Sequence, residues 1–177
     1  MPSYCEVAPS HPFHGPYHDL EYGFPVTDDN VLFERLVLEI NQAGLSWLTI
    51  LKKREGFRTA FDGFDIHRVA NYGEAERERL LSDTEIIRNK LKVNAAIENA
   101  RTICGLQNEF GSFSAWLDHH HPLEKAEWVK LFKNTFFFTG GEITGEFLMS
   151  TGYLPGAHDP GCSVTKKIAR LNPPHMR

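Results

Sequence analysis

The sequence predicts an all-α fold in a single domain. Apolar residues recur at three- and four-residue intervals through most of the chain, helix-capping residues stand at the starts of these stretches, and the period-two alternation of strands is essentially absent. The 177 residues, 41% of them apolar and thirteen of them Phe, fit one domain spanning 1–177 with a full hydrophobic core.

Residues 1–26 carry Pro2, Pro9, Pro12, Pro16 and Pro25 and read as irregular. Helical patterning begins at Thr27, a candidate cap for a helix over 28–41 with two aspartates in its first turn. Gly44 ends that helix. Ser46 can cap a second through position 61, where Leu48, Leu51, Phe57 and Phe61 recur at helical spacing. Shorter helices are expected over 65–71 and 74–81. Ser82-x-x-Glu85 has the form of a capping box, so a further helix is expected after it. The longest helix should cover 90–108, with Cys104 on its apolar stripe as a core residue. Helices over 112–118, 123–133 and 142–151 complete the set. His119-His120-His121 precedes Pro122 and reads as a surface loop, because adjacent residues on an irregular segment point in different directions.

The net charge of −4 and pI of 6.1 exclude a surface that is basic throughout, so any nucleic-acid contact must be local. The short clusters Lys52-Lys53-Arg54, Lys130/Lys133 and Lys166/Lys167/Arg170 read first as solvated faces. No run of about 18 apolar residues is present, so no membrane partner is expected. No basic-then-apolar leader is visible at the N-terminus. Three sparse cysteines suit a reducing cytosol, and a cytoplasmic monomer is expected.

Two pairs of soft ligands lie at the two ends of the chain. Cys5 and His18 are near the start, and His158-Asp-Pro-Gly-Cys162 is near the finish. Two thiolates and two imidazoles are the set that tetrahedral Zn²⁺ prefers. Chance placement of two cysteines and two of nine histidines is the alternative on spacing alone.

Several segments together resemble the 3-methyladenine DNA glycosylase I family. They are Tyr17-His18-Asp19-x-Glu21-Tyr22-Gly23-x-Pro25, the run Leu38-Glu39-x-x-Gln42-Ala43-Gly44-Leu45-Ser46-Trp47 continuing to Arg54, Ile86-Ile87-Arg88-Asn89-Lys90, Asn99-Ala100-Arg101, and the stretch from Gly140 to Cys162. The resemblance implies a helix-hairpin-helix glycosylase fold and one structural Zn²⁺ on Cys5, His18, His158 and Cys162, with 1–26 and 152–165 forming a clasp. Four protein ligands leave no open position for a reacting water, which argues against a zinc hydrolase.

The resemblance also implies a base pocket. A 3-alkylated adenine in DNA carries positive charge and leaves as a neutral molecule, so excision mainly needs extrusion and recognition of a flat cation. Aromatic faces attract such a ring, and a carboxylate can accept from its exocyclic amine. By resemblance Tyr17 and Trp47 sandwich the base and Glu39 is the catalytic acidic residue on its edge, with Tyr22 and His14 as further wall residues. From the residues alone, Glu39 flanks the Leu32/Leu36 stripe, where a carboxylate is costly unless it is paired or at a cavity rim. Damaged DNA is the implied partner and free alkylated adenine the product. No lysine nucleophile is evident, which implies a monofunctional enzyme. A DNA-binding hairpin is expected over 133–141, with Lys133, Thr139, Gly140 and Gly141 at a turn whose free N–H groups face phosphate. Glu142 and Glu146, just after it, do not help phosphate binding.

The chain departs from the family pattern at Glu6-Val7 after Cys5, at His14, at Tyr22, at Ile40-Asn41 and at Phe137-Phe138-Thr139-Gly140-Gly141. These departures motivate an alternative function, a non-catalytic nucleic-acid- or base-binding relative of the same fold.

Overall fold

The computed structural model describes residues 1–177, and every regular element in it is helical. The N-terminal segment forms two short helices, α1 (Tyr4–Val7) and α2 (His14–Leu20), where the prolines predict irregular chain. Helices this short are not stable alone and are held by tertiary contacts. Tyr17 and His18 of α2 are buried.

Helix α3 (Asp29–Gln42) is buried from Leu32 to Asn41, on all sides, and forms the axis of the domain. Its cap is Asp28 rather than Thr27: the Asp28 carboxylate accepts from the N–H groups of Asn30 and Val31. Asp29 instead accepts from Gln107 and from the N–H groups of Phe113 and Ser114, at 2.8–3.0 Å, and so anchors the start of a distant helix. Helix α4 (Trp47–Ala60) is capped by Ser46, whose hydroxyl accepts from Thr49 N–H. Between α3 and α4, Gly44 sits at φ +81°, a conformation costly for a side chain. Lys92 closes this turn from below, donating to the carbonyls of Asn41 and Ala43 at 2.9 and 2.7 Å.

Helices α5 (Ile66–Ala70), α6 (Glu74–Ser82) and α7 (Lys90–Phe110) follow. The expected capping box at Ser82 does not form. Ser82 is the last residue of α6, its hydroxyl returns to the Glu78 carbonyl, and Asn89 caps α7. Cys104 on α7 is half-buried at the core edge, with Sγ 3.6 Å from His67 Nδ1. Helix α8 (Phe113–His120) extends through His119 and His120, so only His121 of the three histidines lies beyond the helix. Helices α9 (Lys125–Thr135) and α10 (Gly141–Ser150) pack as an antiparallel-type pair around one tight turn. The C-terminal tail, which carries no helical expectation, forms α11 (Ser163–Arg170) by burying Val164 and Ile168, four residues apart.

The core joins α3, α4, α7, α8, α9 and α10 around Phe33, Phe57, Phe113, Trp128, Phe132 and Phe147, all fully buried. Four polar residues of α3 lie inside this packing, and three of them have hydrogen-bond partners within the chain, although the Arg35 Nε–H has none. Glu34 accepts from Arg54 at 2.7 Å and Arg58 at 2.6 Å, and these bonds hold its carboxyl below the usual range although burial pushes it up. Arg35 donates to the Glu21 carbonyl at 3.3 Å. Asn41 donates to the Val37 carbonyl. The fourth, Glu39, has no hydrogen-bond partner within the chain and opens onto a recess. No helix is long and apolar enough to cross a membrane.

Candidate functional site

The recess has a volume of ≈ 260 Å³, at the small end of ligand pockets and suited to a single flat ring. Helix α2 supplies Tyr17, the chain just after it supplies Tyr22, α3 supplies Glu39 and Gln42, and the start of α4 supplies Trp47. Tyr17, Tyr22, Glu39 and Trp47, expected together, therefore meet in one cavity. His14 does not line it. Its Nδ1 lies 3.0 Å from the Tyr4 hydroxyl, and Tyr4 takes the wall position, so the expectation for His14 is corrected. Sequence reasoning missed three further lining residues: Tyr4, and Glu142 and Glu146 on α10.

The aromatic walls are fixed by their neighbours. Tyr17 and Tyr22 lie nearly parallel with centroids 5.6 Å apart, and Tyr17 and Trp47 are tilted by 57° at 5.2 Å. The Arg35 guanidinium lies 5.2 Å from the Tyr17 ring centre, with Nη1 3.5 Å from the Tyr17 hydroxyl, and backs the ring from the core side. Trp47 is placed by the Ser46 cap and the Lys92-held turn. A second network, Glu21–Arg54–Glu34–Arg58, ties the segment after α2 to α3 and α4. Arg54 is consumed there, so the Lys52-Lys53-Arg54 cluster is not a uniform solvated face.

The recess is acidic. Glu39, 4% exposed, is pushed up to about 8 by burial and then by the Glu146 carboxylate, against the opposing pull of Arg35. Glu146 is also raised, first by burial. Tyr22 donates its hydroxyl to Glu146 Oε2 at 3.3 Å, and burial keeps both Tyr17 and Tyr22 neutral phenols. Three carboxyl groups and no cation line the cavity. A flat, positively charged ring with a hydrogen-bond donor on its edge satisfies this arrangement: the faces are aromatic, and the walls favour positive charge.

Beside the recess, Cys5, His18, His158 and Cys162 bring one ligand atom each within 4.8 Å of one another. His158 Nδ1 is 3.2 Å from His18 Nε2, 3.5 Å from Cys5 Sγ and 3.7 Å from Cys162 Sγ. Tetrahedral Zn²⁺ with ordinary Zn–N and Zn–S bonds gives edges of about 3.3 Å between nitrogens and about 3.6 Å between nitrogen and sulfur. The cluster thus has the dimensions of such a site. The outer contacts fix the tautomers as well: His18 Nδ1 faces Asp19 Oδ1 at 2.7 Å and His158 Nε2 faces the Tyr22 carbonyl at 2.6 Å, leaving the inward nitrogens free to ligate. Gly23 is required here, at φ +86°, because an added Cβ would lie 2.8 Å from Ala157 Cβ and 3.3 Å from the His158 ring. The cluster shares Tyr22 and α2 with the recess.

The α9–α10 turn lies at the N-terminal end of α10. Asn99 of α7 pins it through both backbone groups of Phe137, at 2.8 and 3.0 Å. Lys133 is exposed in the last turn of α9. Thr139 is buried, and its hydroxyl is spent on the carbonyls of Phe132 and Phe136, so only its backbone can face a ligand. Gly140 caps α10 and Gly141 begins it, and a Cβ added at either would meet nothing. Internal packing does not demand glycine there; the turn leaves an open approach to the first N–H groups of α10.

The fold agrees with comparisons to known proteins. A model of the methyladenine glycosylase family matches residues 7–136. DNA-3-methyladenine glycosylase 1 of Escherichia coli (strain K12) is 35% identical to this chain, over 89% of this chain and 94% of its own length. The solved structure on 3-methyladenine recognition by the Staphylococcus aureus 3-methyladenine DNA glycosylase I superposes with a TM-score of 0.82 at 29% identity, covering 91% of this chain and 95% of that one. A variant of 3-methyladenine DNA glycosylase I in complex with 3-methyladenine superposes with a TM-score of 0.81 at 28% identity, covering 91% and 96%. The chain belongs to the methyladenine glycosylase family.

Proposed function

We propose that the chain is a monofunctional DNA glycosylase that hydrolyses the N-glycosidic bond of an alkylated purine of the 3-methyladenine kind. The observation that carries this reading is Glu39, a buried carboxyl without an internal partner, in a recess walled by Tyr17, Tyr22 and Trp47. The extruded base lies against the aromatic wall made by Tyr17, Tyr22 and Trp47; Tyr17 and Trp47 are in contact, 5.2 Å apart and tilted by 57°, and so form one wall rather than the two faces of a sandwich. Glu39 accepts from the exocyclic amine and favours the cationic ring. The bond between the anomeric carbon and the base nitrogen breaks with its electron pair going to the base, which leaves neutral, and water adds to the sugar with loss of a proton. No lysine side chain lines the recess, in keeping with hydrolysis rather than Schiff-base chemistry.

Cys5, His18, His158 and Cys162 would hold one Zn²⁺ as a structural ion joining residues 1–26 to 152–165 within one domain over 1–177. When bound, the ion supplies cross-linking of the two ends rather than a reactive water, because all four positions are taken by protein. The pair α9–α10 with its turn acts as the helix-hairpin-helix element, in which Lys133, the open glycines Gly140 and Gly141 and the backbone after Thr139 meet a DNA phosphate. The protein works as a monomer in the cytoplasm and releases the free base.

The test is chromatographic detection of free bases released from duplex DNA carrying a panel of alkylated and deaminated lesions. Release of 3-methyladenine ahead of neutral lesions is expected. Binding without release of any base would favour the non-catalytic relative instead.

A further inference from the structure

We propose that Glu146 is a second acidic determinant of specificity, facing from α10 the recess that Glu39 enters from α3, and that the two carboxyl groups together select a ring carrying positive charge. This inference rests on the base-recess reading above and adds a residue to it.

Glu146 is half-buried, and Tyr22 holds one of its oxygens at 3.3 Å. The other oxygen makes no hydrogen bond within the chain. The groups that face it are Tyr22, Glu39, Glu142 and, from α9, Lys125. Lys125 forms no ion pair with Glu146. Its aliphatic end is directed instead over Gly145, where its Cε lies 2.8 Å and its Nζ 3.1 Å from the place a Cβ would take. Glu142 is exposed and screened by solvent. The recess therefore contains two partly or wholly desolvated carboxyl groups and no cation among its lining residues; Arg35 and Lys125 offset them only in part, from outside it.

Two such groups cannot both ionise cheaply while the recess is empty of charge, since each raises the other's cost. A cationic ring between them removes that repulsion and lets both become carboxylates. A neutral ring of the same shape gains the stacking and the edge hydrogen bond but leaves the repulsion in place. Discrimination between a cation and its neutral isostere is thus a property of the pair, and Glu39 alone supplies only part of it. The placement of Tyr22 supports this role, because its hydroxyl fixes the Glu146 side chain in a single direction.

The test compares two probes, 3,9-dimethyladeninium and its carbon-for-nitrogen isostere 3,9-dimethyl-3-deazaadenine, titrated by calorimetry and by tryptophan fluorescence at a pH high enough to keep the isostere's aminopyridine nitrogen unprotonated and the isostere neutral. The full chain and two variants, Glu146→Gln and Glu146→Ser, are used. Gln keeps an acceptor for Tyr22, and Ser serves if Gln perturbs the helix. Both variants should bind the cation about ten-fold more weakly and the isostere as the unaltered protein does. An unchanged cation-to-isostere ratio in both would overturn the inference while leaving base release from DNA, measured in parallel, to stand for the glycosylase reading. Probe binding with the expected ratio change but no base release would uphold the inference and defeat the glycosylase reading. Failure of the unaltered protein to bind either probe would overturn both.

Discussion

Replacing Glu39 with Gln should stabilise the free protein at alkaline pH even as it disables the site. Glu39 is 4% exposed, is unpaired within the chain, and is held at about 8, first by burial and then by Glu146. In the unfolded chain the same carboxyl titrates near its ordinary value of about 4.5. Between these two pH values the folded state keeps a proton that the unfolded state has lost. The contribution of this group is therefore fully present below about pH 4.5 and disappears as pH rises through about 8. At 1.36 kcal/mol per unit, the wild-type protein loses about 4 kcal/mol from this group between pH 5 and pH 9. The Glu39→Gln protein has no proton to lose there and should not show that decline. Urea unfolding at pH 5, 7 and 9, with slopes confirmed equal, measures the difference between the two proteins. Curves of stability against pH that run parallel for wild type and variant would refute the claim that Glu39 is a buried, unpaired carboxyl.

Other outcomes follow from the same contacts. With the proposed Zn²⁺ on the clasp, treatment with a chelator, or Cys162→Ser, should cost several kcal/mol and lower the melting temperature by about 10 °C at this chain length; an unchanged melting curve would deny the clasp a stabilising role. Arg54→Met leaves the buried Glu34 with Arg58 alone and uncouples Glu21, so a loss of about 3 kcal/mol or more is expected by urea unfolding, and a loss below about 1 kcal/mol would count against a buried ion network. Trp47→Ala should weaken binding of free 3-methyladenine by about 1–3 kcal/mol, the worth of one stacked base, with little change in fold as read by circular dichroism. Binding of a cationic base at pH 7 should release protons, because the ring favours ionised carboxylates; calorimetry in two buffers of different ionisation enthalpy detects this, and equal heats would contradict the raised Glu39.

Helices set by propensity, spacing and caps were legible in the chain. Ser46 caps α4 as its position suggests, and α7 runs through the longest apolar stripe. Where several residues could serve one role, the sequence did not choose among them. Thr27 and Asp28 can each cap α3, and Asp28 does, since its carboxylate accepts two N–H groups while Asp29 is drawn to the distant α8. Ser82 and Glu85 have the spacing of a capping box, yet α6 runs through Ser82 and the role passes to Asn89. The short α1 and α2 are invisible to periodicity because they exist through contacts with α3 and the C-terminal segment.

The site shows the same division. Glu39 stands out on local grounds, because a carboxyl beside an apolar stripe has to be explained. Its company with Tyr17 and Trp47 came from the resemblance to a family. Glu146 escaped notice because its partner Tyr22 lies 124 residues away, and its position after a glycine turn suggested only an effect on phosphate. His14 was expected in the wall because it stands where an aromatic is usual; the ring that takes the place is Tyr4, which reaches the recess through the short α1.

The most direct test of the central claim is the single-turnover rate of 3-methyladenine release from methylated duplex DNA by the wild-type and Glu39→Gln proteins. A fall of about 10- to 100-fold, the worth of a hydrogen bond to a charged group, is predicted with the fold intact. Equal rates in the two proteins would show that the buried carboxyl does not grip the damaged base.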